Sequence, residues 1–232
     1  MKKNIAILQS NYIPWKGYFD LIARSDEFIL YDEMQYTKND WRNRNKIKTL
    51  AGTMWLTIPV SVKSLHQKIN ETRIADKSWI KKHKNAIITN YSKALYYKEF
   101  SGKIFSIYEE LEEEECLSKI NQKFINEICI LLGIKTKIMR SEDYNLIEGK
   151  TERLVDLCKQ AGATEYLSGP AAKGYLKEKL FEEAGINVTW MDYSGYSEYS
   201  QLFLPFDHYV SIIDLILNEG SNSSNYLKYV NK

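Results

Sequence analysis

Residues 32–45, DEMQYTKNDWRNRN, crowd carboxylates, amides, guanidiniums and aromatic rings directly behind an apolar run. Arg42 and Arg44 stand two apart, so on an extended segment both side chains lie on one side, with Asn43 and Asn45 on the other. Two adjacent guanidiniums suit bidentate binding of a pyrophosphate or a carboxylate. Asp32 and Glu33 are adjacent on the predicted strand, so only one of them can face a site at its end. A carboxylate near an arginine stays ionised and can bind an amine or act as a base. Tyr36 and Trp41 supply an apolar wall against which a sugar ring can stack. Alternation along this segment favours an anion clamp over an acid–base centre.

Two further polar clusters follow apolar runs. Gln9 and Asn11 bring amide donors and acceptors, and Pro14 and Gly17 shape the chain into a helix whose free N–H groups can meet an anion. SGPAAKG, 168–174, offers the Ser168 hydroxyl, Gly169 and Lys173 ahead of another helix. It matches neither a P-loop nor a dinucleotide fingerprint, and a tight strand-to-helix turn explains it nearly as well. His66, His83 and His208 form no HxH or HxxxH pair, so no metal site is predicted. His83 lies among Lys81, Lys82 and Lys84, which reads as a solvated basic helix face. Cys116, Cys129 and Cys158 read as reduced thiols, the last two on apolar helix faces.

The elements that must position these groups follow a βα rhythm. A strand at 4–8, a helix at 18–25 and a strand at 26–33 form a βαβ unit, and 53–60 is a further β run. From about 76 to 133 the pattern turns helical, with Asp76 as expected N-cap and Gly133 as stop. Strand, helix, strand, helix, strand then return over 135–193, and 210–220 is a closing helix, capped in this reading by Asp207 and His208. Asp214 inside SIIDLIL needs a buried partner, for which Arg42 or Arg44 is the expected one; the tail after Gly220 is expected to be loose. In open α/β sheets ligands bind beyond the carboxyl ends of strands, where the three polar clusters fall.

Composition narrows the class. A formal net charge of +2 is too small to argue for nucleic acid. The aromatic content of 13%, with 17 tyrosines, suits cores and ligand surfaces alike. The N-terminal apolar run is a first strand and not a signal peptide, and no run reaches membrane-span length, so a cytoplasmic protein is expected. The basic stretch KSWIKKHK allows at most peripheral contact with anionic lipid, and EELEEEE beside it favours a solvated helical layer.

The long stretch IAILQSNYIPWKGYFDLIARSDEFILYDEMQYTKNDWRNRNKI, with WLTIPV, WIKKHKNAIITNY, YLSGPAAKGYL and SIIDLILNEG, resembles the WbqC-like family of bacteria. The resemblance implies one domain over 1–232 with a helical insertion at about 76–133, and a place in O-antigen and other surface-polysaccharide clusters. It further implies acyl or aminoacyl (glycine-type) transfer to a sugar or sugar nucleotide. It falls on Asp32 and Gln35, the candidates to orient or deprotonate an accepting amine, and on His83 as a possible acid or base. More distantly, strand, Gly-containing loop, helix and strand are similar to the nucleotidylyltransferase superfamily, which implies a Rossmann-like three-layer α/β fold. Its two signature histidines are replaced here within Trp15, Lys16, Gly17 and Tyr18. The ligands so implied are a small molecule at Gln9, Asn11, Gly17 and Tyr18: ATP, a sugar nucleotide or an acyl donor. An ATP-dependent ligase and a non-catalytic sugar-nucleotide binder are the competing expectations.

Overall fold

The computed structural model describes residues 2–230. Its centre is a five-stranded parallel sheet. The strands are β1 (Asn4–Leu8), β2 (Glu27–Leu30), β7 (Lys137–Arg140), β8 (Glu165–Ser168) and β9 (Asn187–Trp190), in the order β7-β2-β1-β8-β9. All are short; the inner strands β1, β2 and β8 are largely buried because both faces are covered, while the edge strands β7 (KIMR) and β9 (NVTW) are more polar and partly exposed. Alternation sorts the side chains. Ile5, Ile7, Ile29 and Tyr166 enter one core with Val155, Leu157, Cys158 and Phe181 of helices α5 (Thr151–Gln160) and α6 (Glu178–Glu183). Ala6, Phe28, Leu30 and Leu167 enter the other, with α1 (Lys16–Arg24), α4 (Leu117–Leu132) and α7 (Ile212–Glu219).

From β1 the chain winds through α1 to β2 and, after a long excursion, to β7 on one side of the sheet. It then returns through α5 to β8 and through α6 to β9. The winding reverses between β1 and β8, which creates a crevice at their carboxyl ends. This three-layer arrangement is consistent with a Rossmann-like α/β fold.

The excursion holds two antiparallel hairpins and three helices. The hairpins are β3 (Arg44–Thr49) with β4 (Gly52–Thr57), and the short β5 (Val60–Ser61) with β6 (Arg73–Ile74). The helices are α2 (Trp79–Tyr91), α3 (Tyr97–Glu110) and α4, and they fill the expected helical stretch. Their Ile87, Tyr91, Phe100, Tyr108 and Phe124 belong to the same apolar cluster as α1 and the sheet, so they form a layer continuous with the α/β core. Gly133 ends α4 at φ 73°, a left-handed cap that a side chain disfavours.

Several local expectations change. The second strand stops at Leu30, so Asp32 and Glu33 lie in a turn and not on opposite strand faces. Extended backbone is found from Arg44 rather than Arg42: residues 44–49 form β3, whose Asn45 and Ile47 face inward while Leu56 packs from β4. The N-cap position of α2 is Ser78; Asp76, two residues earlier, accepts from the Ser78 N–H. The cap of α7 is Ser211, whose hydroxyl accepts from the Ile213 N–H, and not Asp207 or His208. The tail is docked: buried Asp20 of α1 accepts the N–H groups of Lys228 and Tyr229, and Leu227 and Val230 are buried. No helix among the described residues is long and apolar enough to cross a membrane.

Candidate functional site

A cleft of about 240 Å³ opens beside the loop that follows β1, lined by Asn11, Pro14, Trp15, Trp41, Asn45 and Tyr209. Its floor is over-determined. The Tyr12 N–H donates to the Trp41 carbonyl at 3.0 Å, and the Asn45 amide donates to the carbonyls of Tyr12 (3.1 Å) and Ile13 (3.0 Å). On the far side the Ile212 N–H donates to the Pro14 carbonyl at 2.9 Å. These bonds hold Ile13 at φ 36°, a conformation that a β-branched residue adopts only under constraint. Gly17 is a packing requirement: a Cβ there would lie 2.3 Å from the Trp15 ring. Trp15 in turn packs on Tyr193, Tyr196 and Tyr209.

Arg42 organises the polar side of the cleft. Its two terminal nitrogens donate to the side-chain oxygens of Asn11 and Gln9, and Asp40 sits 3.6 Å away. A guanidinium has donors only, so it turns both amides with their oxygens inward. The amide –NH2 groups of Gln9 and Asn11 then have no partner among the described residues, and they offer donors to a ligand rich in oxygen. Behind this layer Asn121 donates to the Arg42 carbonyl (2.8 Å) and the Ser10 hydroxyl (3.0 Å). Asp32 accepts from the Ser10 N–H at 2.8 Å and from the Ser118 hydroxyl. Burial raises the Asp32 carboxyl above the usual range despite those donors and the Arg42 charge. Tyr18 is buried, donates to the Gln9 carbonyl at 3.0 Å and has its phenol pushed well up by burial. Asp32 and Tyr18 therefore support the loop from behind.

The two arginines do not form a paired clamp. Arg42 precedes β3 in a turn, so strand alternation does not apply to it. Arg44 instead lies 4.2 Å over the Trp55 ring and donates to Asn39. Asn43 is committed to the backbone, donating to the Ile58 carbonyl at 2.8 Å. Gln35 is exposed and donates to the Leu65 carbonyl, while Tyr36 is buried in the core.

His83 is not on a solvated face. It is buried, its Nδ1 lies 2.8 Å from the Tyr12 hydroxyl and its Nε2 lies 3.2 Å from the Thr57 carbonyl. A carbonyl only accepts, so Nε2 carries the proton and Nδ1 accepts from Tyr12, which accepts in turn from Tyr108 at 2.7 Å. Burial lowers the imidazole pKa to about 4, consistent with a neutral ring. Asp214 finds no arginine. Its partners are the hydroxyls of Tyr91 (2.8 Å) and Tyr199 (2.5 Å) and the Gln201 amide (2.8 Å), and burial raises its pKa.

The third cluster sits on the other limb of the switch point. Ser168 is buried at the end of β8, Gly169 approaches Tyr193, and exposed Lys173 lies 5.5 Å from the Trp190 ring. Tyr193 touches both Trp15 and the Gly169 position, so the two limbs meet through one ring. Sequence reasoning missed Trp15, Asn45 as a floor residue, and Tyr209. The first two stood inside stretches already singled out; Tyr209 comes from a loop far along the chain that carried no local signal. It also missed Lys16, buried with Nζ 4.8, 5.3 and 5.8 Å from the rings of Tyr196, Tyr199 and Phe206, and lowered by burial to about 8.

Chemically, the cleft has aromatic walls and the amide of Asn11, and its lining contains no carboxylate, thiol or imidazole. That is a composition for holding a polar ring. The chain matches the model of the WbqC-like protein family over residues 9–226. It is 54% identical over 228 residues, 98% of each chain, to "Uncharacterized protein Rv1507c" of Mycobacterium tuberculosis (strain ATCC 25618 / H37Rv). No solved structure matches it. With the family model covering most of the chain, the protein belongs to the WbqC-like family.

Proposed function

We propose that the protein is a transferase of surface-polysaccharide assembly that holds a sugar-bearing substrate in the switch-point cleft and presents its amine to an acyl or aminoacyl donor. The observation that carries the reading is the Arg42 arrangement: one guanidinium takes the side-chain oxygens of Gln9 and Asn11, and Asn11 lines the cleft beside Trp15, Trp41 and Tyr209. Aromatic faces take the C–H side of a sugar, and fixed amide donors take its hydroxyl oxygens. With no nucleophile in the lining, the substrate's own amine attacks the acyl carbon. The bond to the donor's leaving group breaks as the N–C bond forms, and the amine proton leaves with that group or to water. The protein's part is proximity and orientation.

The same lining favours one second reading, a sugar-nucleotide-binding protein without turnover. A thermal-shift panel of nucleotides, sugar nucleotides, acyl-CoA species and amino acids tests the site, followed by mass spectrometry of mixtures. A sugar-bearing ligand is expected to shift the wild type, and Arg42→Ala is expected to lose that shift. An undiminished shift in the variant contradicts the site. Binding without any mass change across donors selects the second reading, and a shift with ATP alone favours the ligase.

A further inference from the structure

Trp41 forms one wall of the cleft, and the aromatic surface does not end there. Its ring centroid lies 5.4 Å from that of Trp55 on β4, with 41° between the planes. The two residues are 39% and 42% exposed, so the indoles form a continuous apolar platform leading out of the cleft onto the hairpin. The platform has polar borders. Arg44 lies over Trp55 and is fixed by Asn39, while Lys46 stands across the strand pair from Trp55 and reaches Asp207 at 3.7 Å. Thr53 and Thr57 are exposed along the same strand. A hairpin carrying two exposed indoles framed by guanidinium, ammonium, amide and hydroxyl groups matches the alternation of C–H faces and hydroxyl edges along a saccharide chain.

We propose that Trp41 and Trp55 form a second saccharide subsite, so that the substrate is an oligosaccharide with one ring in the cleft and the next over the indole pair. This rests on the reading of the cleft as a sugar site. A sugar nucleotide fits the platform less well. It separates sugar from base by a diphosphate, which calls for an uncommitted cation between the two rings. Arg42 is bound to Gln9, Asn11 and Asp40, Arg44 to Asn39 and the Trp55 face, and Lys46 is paired with Asp207. Directly linked rings need no such cation and can follow indoles in contact.

The test is an array of mono- to hexasaccharide fragments of bacterial surface glycans, with uridine-diphosphate hexoses as a separate arm, probed with the full chain. The wild type is expected to bind a disaccharide or longer fragment at least 10-fold more tightly than its component monosaccharide. Trp55→Ala is expected to remove that gain and leave monosaccharide binding unchanged. Trp55→Thr, which keeps a strand-forming residue on β4, is expected to behave alike, which separates the subsite from damage to the hairpin. Equal affinity for one ring and several, or a length gain that survives both variants, overturns the second subsite and leaves the cleft reading standing. Trp55-dependent binding of the uridine-diphosphate hexoses without oligosaccharide preference also overturns it. Failure of every sugar and sugar nucleotide to bind removes the cleft reading and the subsite together.

Discussion

Polar regions of two kinds in this protein look alike in sequence and differ in what their atoms do. Around Tyr12, His83 and Tyr108, and again around Asp214, Tyr91, Tyr199 and Gln201, side-chain hydrogen bonds close on partners inside the protein. Around Arg42 the bonds close on one side only: the oxygens of Gln9 and Asn11 are taken and their –NH2 groups have no partner among the described residues. The closed regions spend their polarity on holding helices α2, α3 and α7 to the β3–β4 hairpin. The open one uses half of it for order and leaves the rest unpaired among the described residues. Polar density therefore does not mark the site; incomplete satisfaction beside exposed aromatic surface does.

The largest effect is expected where closure is complete. Asp214→Ala leaves two tyrosine hydroxyls and an amide without their acceptor in the core, and should destabilise the fold by roughly 3 kcal/mol or more. Denaturant unfolding measures it, and a loss under about 1 kcal/mol would erase the distinction between the regions.

The buried imidazole comes next. His83 titrates at about 4 when folded and near 6.5 when unfolded. As pH falls through that window the unfolded chain binds the proton first, so stability drops, by up to about 3 kcal/mol for this group. Above 6.5 both states are neutral and the group contributes no pH dependence. Asp32 and Asp214, raised by burial, act with the opposite sign, since the folded state takes up their protons first. The difference between wild type and His83→Gln in unfolding free energy from pH 7 to pH 4 isolates the imidazole. Equal slopes would show that His83 is accessible to protons in the native state.

Gly17→Ala sharpens the comparison at the boundary. The added methyl must displace the Trp15 ring, which costs about 1–3 kcal/mol and reshapes the cleft wall while leaving the closed networks intact. Unfolding and ligand titration of this variant should both report the change.

Arg42→Ala should have the smallest effect on stability, about 1 kcal/mol. Yet it should weaken a cleft ligand 10- to 100-fold by releasing both amides, equivalent to about 1.4–2.8 kcal/mol. Arg42→Lys should not rescue binding, because one ammonium lacks the fork that spans the two oxygens. Full rescue by lysine would reduce the role of Arg42 to its charge.

The β1 loop was readable in advance because Gln9 and Asn11 follow an apolar run of strand length, and the switch-point rule places such a loop at a crevice. The arginine pair was misread because strand alternation was applied to residue 42, where the chain still turns, and β3 starts only at Arg44. His83 sits among three lysines in sequence, yet helical geometry turns it into the α2–α3–α4 core, against Tyr12, Trp79 and Tyr108. The partners of Asp214 come from a helix over a hundred residues earlier and from a loop without periodicity, so no local pattern could name them. Tyr209 reaches the cleft through the same loop, and for the same reason was invisible.

The most direct test of the cleft is indole ¹H–¹⁵N NMR of the five tryptophans, titrated with the strongest sugar-bearing ligand from the thermal-shift panel. Trp15 and Trp41 should move with saturable, matching affinities, while buried Trp79 and the β9 residue Trp190 stay still. Saturable shifts at Trp190 with Trp15 and Trp41 unmoved would place the ligand on the β8 limb and contradict the account.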